Sequence, residues 1–162
     1  MSKPIADLAA DNIRILAMSM VEKAKSGHPG GAMGGADFVN LLYSEFLNFD
    51  PDNMEWPFRD RFFLDPGHMS AMMYAVLALV GTYSMEDLKN FRQWQSPTPG
   101  HPELDVKRGV ENTSGPLGQG LADGELLQEV HGNLSVKATG AVYAHGIRSI
   151  QYLWMILQAL IH

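Results

Sequence analysis

Residues 70–80, SAMMYAVLALV, hold no charged side chain, so any fold open to this chain has to bury a helix on most of its sides. Just ahead of it stands RFFLD (61–65), a short run bounded by turn residues that reads as a buried strand, followed by Pro66-Gly67-His68. Strand, glycine turn and helix in that order is the arrangement in which an α/β domain presents ligands at the carboxyl end of a strand. Met69, Met72 and Met73 read as core filling rather than as a ligand surface.

The flanking text fits the same class. Leu8, Ile13, Leu16 and Met20 recur at helical steps and predict a helix from Ile5 to about Lys25, stopped by Ser26 and Gly27. His28-Pro29-Gly30-Gly31 then reads as a tight loop, and Phe38, Leu41, Leu42 and Phe46 give the buried side of a second helix over 32–47. Residues 48–60, with Pro51, Asn53 and Pro57, form a surface connection. Ser84 with Asp87 three residues on resembles a capping box and opens a short helix through about Trp94. From Gln95 to Gly120 the chemistry is that of a loop, and a loop this long in a compact domain favours function over passive connection.

Composition narrows the function classes. The 162 residues are 46% hydrophobic, enough for one core, and carry a net charge of −6 with no basic cluster, which argues against nucleic acid or an anionic membrane as partner. Zero Cys excludes disulfides, thiolate metal sites and a Cys nucleophile, and Asp7 and Asp11 interrupt the place of a signal peptide, so the expected location is cytoplasmic. Residues 1–120 hold 15 acidic and 10 basic side chains, whereas 121–162 hold 3 and 2 and close on YLWMILQALI. That change divides the chain into a first region, 1–120, and a tail, 121–162. In the tail Ile147, Ile150, Trp154, Leu157 and Ile161 make a helical stripe, too short and too interrupted by Gln151 and Gln158 for a membrane span.

His28, His68 and His101 each sit beside Gly or Pro in a loop at the end of a core element, where catalytic groups collect. Their separations of 40 and 33 residues lack the local pairing of a metal motif, so no metal ligand is assigned to them. GPLGQG (115–120) offers backbone that a ligand can approach closely, but without the Lys-Ser/Thr ending of a P-loop.

Four stretches together are more specific. SGHPGGAMGGADF (26–38), RDRFFLDPGHMS (59–70), FRQWQSPTPGHPE (91–103) and ENTSGPLGQG (111–120) resemble, in order and spacing, the N-terminal part of the transketolase family, and the likeness covers about residues 8–120. The resemblance implies a partial thiamine-diphosphate-binding domain, α/β, with a mostly parallel sheet and helices on both faces, working as a homodimer. It implies transfer of a two-carbon ketol unit between sugar phosphates of the pentose phosphate pathway, with thiamine diphosphate and Mg²⁺ as cofactors. On this likeness His28 and His101 are the catalytic and substrate-binding histidines, His68 hydrogen-bonds the cofactor diphosphate, and the backbone of Gly115, Pro116 and Leu117 lines the cofactor rings.

After Gly120 the likeness stops. The family continues into a small-residue helix and a strand ending in Gly-Asp-Gly, whose Asp holds the metal; neither element nor that triplet is read here, and Ala122-Asp123-Gly124 follows GPLGQG too soon for Asp123 to be the ligand. The activating glutamate of the family's pyrimidine-binding domain also has no counterpart. The expectation is an incomplete and inactive piece, truncated or frameshifted after about residue 120. The alternatives are a catalytically silent partial domain associating through its apolar tail, or the first chain of a split transketolase.

Overall fold

A computed structural model describes residues 4–120, 122, 123 and 126, and the backbone of 136–139. Helix α1 spans Ile5–Ala24 and buries Ala10, Ile13, Ala17 and Met20, one residue per turn on a single face. Lys25, left-handed at φ 50°, ends it next to the expected position. The face packs against α4 (Ser70–Val80), whose span agrees with the sequence reading and whose residues Ser70–Leu77 are all buried. These two helices form the centre of the core, joined by Val39, Leu42, Phe62, Leu64 and Val110.

The single helix expected over 32–47 is three pieces instead. Helix α2 (Pro29–Gly34) begins earlier than predicted, with proline in its first turn, where the missing N–H costs nothing. Helix α3 (Ala36–Leu41) follows, and Leu42–Phe46 widen into a π-helical turn. The break falls at Gly35, where a Cβ would stand 2.5 Å from Met72 Sδ. The chain bends because it presses directly on α4, a contact that local periodicity does not encode.

Residues 48–60 are a connection closed on itself by Asn48 and Asp60, whose backbone groups pair at 2.7 Å. Strand β1 (Arg61–Leu64) is one residue shorter than expected and buried from Phe62 onward. A 3₁₀ turn over Gly67–Met69 leads into α4. The Ser84 capping box is formed on both sides, and its hydroxyl holds the Asp87 carboxyl below the usual carboxylate range. Helix α5 nevertheless stops at Lys89 (Met85–Lys89), not near Trp94, because turns take over and Arg92 and Gln95 adopt positive φ. Within 95–120 a 3₁₀ turn over Val106–Arg108 is bracketed by a bridge between Asp105 and Val110.

Strand β2 (Val136–Thr139) pairs parallel with β1, Arg61 opposite Val136 and Leu64 opposite Thr139. This corrects the reading that neither a helix nor a strand follows Gly120, since residues 119, 120, 122, 123 and 126 are also helical. Four residues alternating apolar with polar or small side chains give too weak a signal to find the strand. The described part is helix-rich, and its two described strands are parallel. No described helix is long and apolar enough to cross a membrane. The predicted stripe Ile147–Ile161 lies outside the described residues.

Candidate active site

The carboxyl end of β1 delivers Asp65 and Pro66 to the 3₁₀ turn that carries His68, half-buried. His28, the residue just before α2, is exposed, and its ring centroid lies 4.8 Å from that of His68 with the planes tilted by 54°. His101 reaches the same place from the long loop. Its imidazole is held below the usual histidine range, first by partial burial and then by electrostatic interaction with Arg92, His68 and His28. The three histidines named from the sequence therefore share one locality, though 73 residues separate the first from the last.

Hydrogen bonds from buried hydroxyls set the position of His101. Ser70 Oγ donates to the Gly100 carbonyl at 2.8 Å and Tyr74 OH to the Pro99 carbonyl at 3.0 Å. Four residues apart on α4, both hydroxyls face the loop. Thr98, fully buried, donates through Oγ1 to the Asp87 carbonyl at 2.9 Å and accepts at its own carbonyl the Arg92 N–H. The sequence reading missed these anchors. The signal was present in Ser70 and Tyr74, the hydroxyls of an otherwise apolar helix, which need partners once buried.

The glycine loop is fastened at both ends beside β1. Ser114 N–H donates to the Pro102 carbonyl and its Oγ to the Leu64 carbonyl at 3.1 Å. A Cβ on Gly67 would meet Ser114 Oγ at 2.6 Å, and one on Gly120 would meet Asp65 Cβ at 2.9 Å, so both ends of the loop press on the turn that bears His68. Between them Gly115, Pro116 and Leu117 are exposed, with open space at Gly115 where a side chain would stand, and Gly118 turns the chain at φ 89°. The Gln119 side chain bridges the Thr113 carbonyl and the Gly115 N–H.

Donors dominate this locality: three imidazoles and the Arg92 guanidinium, beside the open space at Gly115, a set suited to an anion with several oxygens. A metal is another matter. Among the described residues no group of three or more His, Asp or Glu is arranged to hold one, and Asp123 accepts a hydrogen bond from Asn112 Nδ2 at 2.9 Å.

The chain matches the family model described as transketolase, thiamine diphosphate binding domain, over residues 5–147, a span that runs past Gly120. It is 47% identical over 138 residues to a transketolase of Nostoc sp., covering 84% of this chain and 21% of that one. Against transketolase 1 of Escherichia coli the identity is 54% over 115 residues, 70% of this chain and 17% of the other. Among solved structures, Leishmania mexicana transketolase superposes with a TM-score of 0.70 at 45% identity over 76% of this chain and 18% of its own. A Pichia stipitis transketolase in complex with sedoheptulose-7-phosphate gives a TM-score of 0.69 at 44% identity, 74% of this chain and 18% of that one. The chain thus spans about a fifth of the length of these relatives. With three motif histidines gathered at the end of β1 and a family match over most of its length, the chain belongs to the transketolase family, in the thiamine-diphosphate-binding domain.

Proposed function

We propose that the histidine cluster at the end of β1 is the diphosphate-side portion of a thiamine-diphosphate site, serving ketol transfer between sugar phosphates. The observation that carries this reading is the meeting of His28 and His68 at 4.8 Å, with His101 in electrostatic reach, beside the open backbone of Gly115.

His68, fixed by the turn after β1, donates an N–H to a diphosphate oxygen. The Gly115–Leu117 backbone lines the cofactor rings, helped by the missing side chain at Gly115. His28 and His101, the exposed pair, meet the sugar hydroxyls and move protons there. The lowered pKa of His101 keeps it neutral near pH 7, so that it accepts a proton rather than holding one. Thiamine diphosphate, when bound, supplies the electron sink for carbon–carbon bond chemistry. Mg²⁺, for which no residue of this chain is assigned as ligand, belongs to the proposal through the family. So do the homodimer, the cytoplasmic location, the pentose phosphate pathway, and a mostly parallel sheet with helices on both faces.

The test is calorimetric titration with thiamine diphosphate and Mg²⁺. A few hydrogen bonds worth about 0.5–1.5 kcal/mol each, set against the cost of ordering the ligand, give a millimolar or weaker constant, about −4 kcal/mol or less favourable. His68→Ala is expected to abolish the signal, and binding indifferent to that substitution would overturn the reading. Micromolar, Mg²⁺-dependent binding would place metal ligands in the tail, with Asp123 and Glu125 the first to substitute. These 162 residues alone are expected to show no ketol transfer, because no Gly-Asp-Gly segment follows the glycine loop. Transfer abolished by His28→Ala would refute that.

A further inference from the structure

Arg92 touches both sides of the site, and the proposed function gives it no role of its own. Its NH1 donates to Ser26 Oγ at 2.7 Å, at the end of the turn that leads into His28. Its guanidinium lies flat against the backbone before His101, so close that a Cβ on Gly100 would stand 2.6 Å from Nε and 2.8 Å from Cζ. Its own N–H closes the loop on the Thr98 carbonyl, with the main chain at φ 62°, and the guanidinium carbon is 5.8 Å from the Phe91 ring centroid. The Nε–H is buried without an acceptor. A buried donor left unpaired is costly, and a protein retains such a geometry where the rest of the group is needed in place.

We propose that Arg92 is a positioning residue that clamps the Ser26–His28 turn to the Gly100–His101 loop, fixing the two exposed histidines relative to each other. The inference rests on the reading of the histidine cluster as a substrate site, but the clamp itself is testable with no ligand present. Two features of the chain are explained together by the clamp: a side chain at position 100 would displace the guanidinium, and the turn after α1 carries a hydroxyl at Ser26. The guanidinium also sets the charge that His101 feels, with His68 and His28 as the other groups acting on it.

The experiment is a proton NMR titration of the histidine imidazoles in the whole chain. Arg92→Met is expected to raise the His101 pKa and to move the Ser26 and His28 resonances as well, because both ends of the clamp are released. Arg92→Lys keeps the charge without the planar fork, so the His101 pKa stays near its native value while the Ser26 and His28 resonances still move. Gly100→Ala should reproduce the Met variant at both loops, since the new methyl displaces the guanidinium. If Arg92→Met fails to fold, Ser26→Ala removes one hydrogen bond alone and must still perturb His101. A folded Arg92→Met with unchanged His28 and Ser26 signals overturns the clamp. Thiamine diphosphate binding indifferent to His68→Ala, with the coupled shifts at Ser26, His28 and His101 intact, would overturn only the site reading.

Discussion

The α1–α4 pair and the layer of chain over 91–120 are held by different forces. The helices meet through Ile13, Ala17, Met72 and Leu77, all nearly or fully buried, and need no side-chain hydrogen bond between them. The loop layer exposes Trp94 at 91% and Leu117 at 73%, yet its backbone is tied down by Ser70, Tyr74, Thr98 and Ser114. Burial fixes the scaffold without regard to direction, whereas hydrogen bonds place particular backbone atoms to within tenths of an ångström. Active-site loops gain from the second kind of bond, because a catalytic imidazole must be placed and not merely covered.

Substitution can break this contrast at graded points. The largest effect is expected from Leu77→Ala in the scaffold, a loss of about 2–5 kcal/mol in urea unfolding, felt by the whole chain because cavity formation adds to lost transfer energy. A loss confined to the loop layer would mean that the two regions are not mechanically joined through α4.

Tyr74→Phe comes next. It removes one hydroxyl and no packing, and should cost about 1 kcal/mol while shifting the His101 resonances. Equal disturbance of the α1 amides in hydrogen exchange would show that the hydroxyl supports the scaffold rather than the loop.

The smallest effect concerns pH. His101 has a lowered pKa in the folded chain, so the unfolded chain binds the extra proton first, and stability falls as pH drops from the ordinary histidine pKa through the folded one. His101→Gln should flatten that part of the pH–stability curve, measured by thermal unfolding between neutral and mildly acid buffer. A curve of unchanged slope would place the acid sensitivity elsewhere.

The scaffold was legible in the sequence because its signals are local. Periodicity places α1, an uncharged run places α4, and Ser84 with Asp87 places the start of α5. The break at Gly35 was not, since it depends on Met72, 37 residues away. Nor was the end of α5, decided by the positive φ of Arg92 and its bond to Thr98. Of the site, the three histidines stood out by their Gly and Pro neighbours, and the structure brings them together. Their supports did not stand out, because a serine at 70 or 114 looks like any other until the carbonyl it bonds is known.

The clasp around the glycine loop has an entropic consequence. Ser114 is anchored to Leu64, Gly120 is wedged against Asp65, and Gln119 ties back to both Thr113 and Gly115. What remains to be ordered by an arriving guest is little more than Pro116, Leu117 and Gly118, and proline has already surrendered its φ. At about 1–2 kcal/mol per backbone residue frozen, ordering this stretch costs a few kcal/mol, where a loop free from Gln95 to Gly120 would cost tens. Most of the disorder a guest would otherwise have to quench is spent during folding.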